Sequence, residues 1–392
     1  MRELCKDQQA HLVELRRTLH RIPELGIDLP ETAKVVAGEL DSLGISYTCS
    51  QKDSGLIALI PGTGPGKTVA LRADMDALPL KECTGLPFAS GHEGKMHACG
   101  HDAHMAMLLG AAKVLQENRD KFRGTVKLFF QTGEEISRGA RIIIENGGME
   151  GVDAVFGIHI GSILGKEYPT GAVVAVPGCC MASFDRFILR IKGKSCHAST
   201  PEKGVDPINI AAHIATALQE VVAREIAAVS PSVLTIGKFV GGSQYNIIPE
   251  EVVIEGTIRA VDDGIRQTLA RRIGEIAKGV AATFRGECEV EMDWGAPPVV
   301  NDADMAKLAA DAAAKVLGEE FVVRKVPAPN MGGEDFAYYL QKAPGAFLFL
   351  SSANAAKGTD VPHHNVRFDV DEDVLWRGSA TFVSIVEELL GK

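Results

Sequence analysis

A change of texture near residue 183 constrains this 392-residue chain more than any other feature. Before it, short apolar runs at 56–60, 69–72, 126–131 and 154–159 alternate with helical stretches, the longest spanning 103–116. That βαβ rhythm predicts an α/β fold: a mostly parallel sheet with helices on both faces. After it, runs at 184–192, 232–239, 252–259 and 287–293 read as strands, and 205–224 and 264–284 as helices. The resulting β-α-β-β-α-β order is the ferredoxin-like pattern, a self-contained α+β unit. Gly295-Ala296-Pro297-Pro298 closes it as a linker, and a helix-rich tail follows with one strand at 347–351. The expected organisation is a catalytic domain in two parts, 1–182 and 297–392, with a smaller domain, 183–296, inserted between them. At the N-terminus, Leu12, Leu15, Leu19 and Ile22 recur at helical spacing up to Pro23, and a second helix runs from Pro30 to a stop at Gly44.

The composition excludes several classes of function. A formal charge of −10 and the lack of a long basic tract argue against nucleic acid as a partner. No window approaches the roughly 18 uninterrupted apolar residues of a membrane helix, so no membrane role is expected. The first residues have no apolar core of the signal-peptide kind. Eight scattered cysteines read as free thiols of a reducing compartment, which places the protein in the cytoplasm. Pro61-Gly62-Thr63-Gly64-Pro65-Gly66-Lys67-Thr68 imitates a phosphate-binding loop, but Pro61 stands where glycine is needed and a strand follows where a helix is needed. It reads as a turn.

What remains is a set of metal-ligand residues at strand ends and helix starts, where sites gather in open α/β sheets. Cys99 and His101 lie two apart in His97-Ala98-Cys99-Gly100-His101-Asp102, a polar, glycine-containing segment unsuited to a core. Spaced this way on an extended segment they face one side, as a metal clip requires. His97 and His104 read as supporting groups. Glu134 and Glu135 follow the apolar run 126–131, where two acids are costly unless compensated. The economical division makes Glu135 a ligand and Glu134 the general base that takes a proton from water and passes it to a leaving amine. His159 ends another apolar run, and one of the vicinal pair His363 and His364 can reach the same ion. Asp74, in Arg72-Ala73-Asp74-Met75-Asp76-Ala77-Leu78-Pro79, is placed to orient a ligand histidine. Mixed Cys, His and carboxylate ligands suit zinc, manganese, cobalt or nickel. A hydrolase using Cys99 as nucleophile with His101 would leave Glu134, Glu135, His159 and His363 idle, and a metal store would have no use for a base.

The segments 97–102, 72–79 and Gly332-Gly333-Glu334-Asp335-Phe336 closely resemble the M20 metallopeptidase clan, in its branch of hippurate hydrolases, N-acyl-amino-acid deacylases and auxin-conjugate hydrolases. The resemblance spans nearly the whole chain. It implies two divalent metal ions on Cys99, His101, Glu135, His159 and His363, with Glu134 as base, and so selects His363 over His364. It also implies that the inserted domain is a lid and commonly a dimer interface. His197, in Ser195-Cys196-His197-Ala198-Ser199, would serve the oxyanion, while Asn246, Arg259 and Gly332 would contact the substrate. The implied activity is hydrolysis of N-acyl-amino acids or similar small amides, with dipeptide hydrolysis as the alternative. Where the clan's peptidase branches carry His-x-Asp, this chain has Arg72-Ala73-Asp74, which argues against a typical aminopeptidase.

Overall fold

The computed structural model describes residues 2–392. Two compact units divide the chain. One runs to Cys180 and resumes over Val300–Asn330 and Asp335–Lys392; the other comprises Met181–Val299 and Met331–Glu334. The short segment Met331–Glu334 belongs with the second unit, a detail that the sequence reading did not anticipate.

The larger unit is built on an eight-stranded sheet in the order Ser46–Cys49, Leu56–Pro61, Thr125–Gln131, Thr68–Asp74, Ala154–Gly161, Gly345–Ser351, Val173–Val174, Val322–Val323. Its central strands, from 125–131 through 345–351, run parallel, whereas the pairings of 46–49 and 56–61 are antiparallel. The parallel interior matches the expectation, and it has the expected physical signature. Strand Ala154–Gly161 is buried along its whole length because helices cover both faces. The helix His101–Glu117 is likewise almost wholly buried, polar only at its two ends and at Lys113. Gly110 lets it pack closely, since a Cβ there would sit 2.5 Å from Leu12 Cδ2. Leu12, Leu15 and Leu19 of the Gln9–His20 helix join the same core, each worth roughly 1.5–3 kcal/mol on full burial.

The second unit holds a four-stranded antiparallel sheet in the order Ser232–Gly241, Glu251–Ala260, Asp185–Lys192, Glu287–Asp293. Two helices, Pro207–Glu220 and Asp263–Thr283, complete the β-α-β-β-α-β order. Phe187, Leu189, Ile191, Ile210, Ile214 and Leu269 form its separate core. Both helices begin on an aspartate cap: Asp206 accepts from the backbone N–H of Ile208 and Asn209, and Asp262 from that of Ile265. Such caps contribute about 1 kcal/mol each. No helix among the described residues is long and apolar enough to cross a membrane.

Candidate metal centre

The centre forms where the carboxyl ends of strands 68–74, 125–131 and 154–161 meet the start of the His101–Glu117 helix. Gly100 makes the entry into that helix with φ +89°, and a Cβ there would press on Ile160 Cγ2 at 3.0 Å. Only glycine takes this backbone turn without strain. It leaves Cys99 and His101 buried on the two sides of the turn.

Asp76 organises the turn after strand 125–131. Its Oδ1 accepts from the Glu134 N–H at 3.0 Å, and its Oδ2 from the Glu135 N–H at 3.1 Å. Burial pushes the Asp76 carboxyl up, against the pull of His101. The carbonyl of the same residue accepts from His101 Nδ1 at 2.7 Å. That bond places a proton on Nδ1 and leaves Nε2 as the nitrogen that faces the carboxylates. Nε2 is buried without a hydrogen-bond partner, 3.5 Å from Asp74 Oδ2 and 4.0 Å from both Glu134 Oε2 and Glu135 Oε1. Burial alone would lower the His101 pKa, but Asp74, Asp76 and Glu135 raise it to about 10. The surrounding carboxylates therefore favour positive charge at Nε2, either a second ring proton or an ion in its place.

His159 follows the same logic. Its Nδ1 donates to the Ile160 carbonyl at 3.0 Å, and its Nε2 lies 3.4 Å from Cys99 Sγ. Burial, reinforced by His104 and His363, holds this ring neutral. His104 is fully committed: Nδ1 donates to Asp74 Oδ1 at 2.5 Å and Nε2 accepts from the Ile160 N–H at 2.9 Å. It supports the site and has no nitrogen left for an ion. Asp74 thus orients His104, while Arg72 Nη1 donates to its second oxygen at 2.7 Å, and that same oxygen lies 3.5 Å from His101 Nε2.

Among the described residues five trios have donor atoms all within 4.8 Å of one another: His101 with Asp74 and His104, His101 with Glu134 and Glu135, Asp74 with Glu134 and Glu334, and two that share Cys99, namely Cys99, His101 and His159, and Cys99, Glu135 and His364. The thiolate, imidazole and carboxylate donors suit borderline-soft divalent ions, and the orphaned His101 Nε2 is the kind of atom that such an ion satisfies. The residues fit a pair of metals.

His363, the member of the vicinal pair that the resemblance selects, joins neither of the two groups that share Cys99. Its Nε2 bonds the Ile160 carbonyl at 3.1 Å and its ring lies 4.6 Å from that of Phe368. His364, at φ +60°, turns the other way and brings Nε2 to 3.5 Å from Glu135 Oε1, while its backbone N–H donates to the Ala98 carbonyl at 2.9 Å. Sequence reasoning also missed Asp76, whose motif offered two carboxylates and no sign of which one would hold the glutamate turn.

The second unit carries the remaining expected residues. His197 pairs with Ile247 in a short antiparallel ribbon, and the Ala198 N–H donates to the Asn246 carbonyl at 3.0 Å, so His197 and Asn246 are neighbours. His197 is exposed, and its Nδ1 accepts from Ser199 N–H at 3.1 Å and Ser199 Oγ–H at 2.8 Å. That fixes the ring proton on Nε2. Arg259 is half-buried, bonded at 3.4 Å to the Met331 carbonyl, with its guanidinium 5.7 Å from the Phe184 ring centre and no carboxylate within salt-bridge distance among the described residues. Gly332 lies in the same 331–334 segment, where a Cβ on Gly333 would overlap Phe184 Cδ1 at 1.9 Å.

Comparison with known proteins gives a consistent picture. The family model for peptidase family M20/M25/M40 matches residues 70–388. An N-acetyl-L-cysteine deacetylase of Bacillus subtilis is 40% identical over 384 residues, covering 97% of this chain and 89% of the relative. Thermostable carboxypeptidase 1 of Saccharolobus solfataricus is 40% identical over 375 residues, covering 94% and 92%. The crystal structure of a dinuclear metal-binding M20 peptidase from Bacillus subtilis superposes with a TM-score of 0.84 at 36% identity, covering 98% of this chain and 99% of that one.

Proposed function

We propose, from the premise that this chain belongs to peptidase family M20/M25/M40 and is a metal-dependent amidohydrolase of that family's amidohydrolase branch, that it hydrolyses the amide of N-acyl-amino acids with two divalent ions. The observation that carries this reading is the pair of ligand groups sharing Cys99, with Glu134 standing 4.0 Å from His101. Cys99, His101 and His159 would hold one ion, and Cys99, Glu135 and His364 the other. When bound, such ions polarise an amide carbonyl and acidify water.

The chain's own groups do the rest. Glu134 is buried and held by its backbone on Asp76, so its carboxylate takes the proton of the attacking water and delivers it to the departing nitrogen. His197 presents Nε2–H, a neutral donor suited to the oxyanion that forms on the carbonyl oxygen. Arg259, a guanidinium without an acidic partner, receives the substrate carboxylate together with Asn246, and Gly332 lines the same segment. Zinc, manganese, cobalt and nickel all suit the donors. We also propose a homodimer, formed through strand Ser232–Gly241, an edge strand that pairs among the described residues only with Glu251–Ala260 and carries exposed Phe239 and Val240. The proposed compartment is the cytoplasm.

The carboxypeptidase among the relatives favours a second reading, cleavage of dipeptides. One experiment separates the two: release of free amine from a panel of N-acyl-amino acids and dipeptides, with added Zn, Mn or Co, against Glu134→Ala. Metal-dependent turnover of the acylated substrates, lost in the variant, is the expected result. Turnover of dipeptides alone moves the assignment to the peptidase. Activity that survives chelation would favour instead the cysteine hydrolase that uses Cys99 with His101, a reading in which the His159 imidazole, 3.4 Å from the thiol, also stands beside the nucleophile.

A further inference from the structure

The ligands proposed above stand on segments far apart in sequence, and one side chain remote from all of them binds two of these segments. Arg16, in the Gln9–His20 helix, is fully buried, and each of its guanidinium nitrogens has a carboxylate. Nε donates to Asp102 Oδ2 at 2.7 Å, Nη2 to Asp369 Oδ1 at 2.7 Å and Nη1 to Glu372 Oε1 at 3.1 Å. Asp102 directly follows His101. Asp369 directly follows Phe368, whose N–H closes the turn after His364 by donating to the Asn365 carbonyl at 2.9 Å.

The same two segments already meet once, where the His364 N–H donates to the Ala98 carbonyl. A single backbone bond fixes a distance but leaves rotation about it. A second attachment, several residues further along both segments, fixes the orientation as well. Arg16 supplies that attachment by bridging Asp102 and Asp369. A planar fork with donors in three directions can do this, and an ammonium group cannot. Asp102 depends on it strongly. Its Oδ2 takes both Arg16 and His20 Nδ1, each at 2.7 Å, while Oδ1 is buried without a partner. Glu372 depends on it less, because Arg17 holds it independently through two nitrogens.

We propose that Arg16 is a positioning residue of the metal centre, setting the Cys99–His101 segment and the His364 segment in register so that Cys99, Glu135 and His364 can share an ion. The inference rests on the ligand assignment above. Its test is cobalt(II) titration of the full chain, following the thiolate-to-cobalt and ligand-field bands, with thermal melting of the metal-free protein alongside. The proteins compared are wild type, Arg16→Lys and Asp369→Ala.

The wild type is expected to take up two ions through a thiolate. Arg16→Lys should weaken one of the two by roughly 10- to 100-fold, the usual loss when a group supporting a ligand is removed, and alter its band positions. Asp369→Ala, which leaves Asp102 and Glu372 on the guanidinium, should weaken the same ion while lowering the melting temperature less than Arg16→Lys does. If both variants bind two ions with wild-type affinity and spectra and differ only in melting, Arg16 is merely structural and the inference is overturned. If Arg16→Lys does not fold, Asp369→Ala decides alone. A wild type that takes up no thiolate-bound cobalt sinks the ligand assignment itself, and the positioning role with it.

Discussion

The two units treat their functional side chains in opposite ways. In the larger unit the site's side chains are buried and tied, with candidate ligand atoms such as His101 Nε2 and Glu135 Oε1 left without a hydrogen bond: Asp76 holds His101 and the Glu134–Glu135 turn, Asp74 holds His104, and the Ile160 peptide unit holds His159 and His104. In the smaller unit His197 is exposed and steadied only by Ser199, and Arg259 makes one long bond to a carbonyl. Groups that must stand at fixed positions before substrate arrives are buried and tied in the manner of preorganised catalytic sites. The groups proposed to receive a substrate remain solvent-accessible and under-committed. Variants in the first region should therefore act through the ions or the proton, and variants in the second through the substrate alone.

The largest expected effect tests the first region. Glu134→Gln keeps the backbone bond to Asp76 but removes the base, and kcat should fall by about 100- to 10,000-fold. Metal content, read by elemental mass spectrometry, should stay at the wild-type level. A variant within tenfold of wild type would mean that the proton is carried elsewhere.

His197→Ala should cost about 100- to 1000-fold in kcat, with melting temperature and metal content unchanged because the ring is exposed and outside both ligand groups. A rise in KM with kcat preserved would break the contrast in an informative way. His197 would then be binding the ground state rather than the developing charge. Arg259→Met comes next. Loss of a hydrogen bond to a charged group, about 1.5–3 kcal/mol, corresponds to roughly a 10- to 100-fold fall in kcat/KM. The penalty should vanish for substrates whose carboxylate is amidated. An equal penalty on both kinds of substrate would remove Arg259 from carboxylate recognition.

The contrast between the regions also explains what could be read in the sequence. The parallel sheet was legible because strands 68–74, 125–131 and 154–161 are buried on both faces and read as apolar runs. The four strands and two helices of the smaller unit were legible because strands with one covered face alternate and amphipathic helices repeat every three to four residues. Cys99, His101, Glu135 and His159, which the structure brings close together, stood out as candidates because polar residues in such company are costly without a purpose. Other parts of the site left no local signature. Asp76 acts through backbone N–H groups 58 and 59 residues away. Arg16 sits in an amphipathic helix where an arginine reads as solvated, and its three carboxylate partners lie 86 to 356 residues distant.

The vicinal histidines offer the sharpest test, because periodicity cannot separate neighbours and only the backbone decides. His364 at φ +60° faces Glu135, while the ring of His363 occupies space left by Gly161, where a Cβ would come within 2.1 Å of its Nε2. His364→Phe should lose one of the two ions and leave the other on Cys99, His101 and His159. His363→Phe should keep both ions. Phenylalanine preserves the contact with Phe368 and gives up only the bond to the Ile160 carbonyl, a net loss of about 0.5–1.5 kcal/mol measured by denaturant titration. This is the smallest effect in the series. The opposite pattern, with an ion lost from His363→Phe and both kept in His364→Phe, would require the 363–364 turn to flip when metal binds. The centre would then be assembled by the ion at that loop rather than waiting for it.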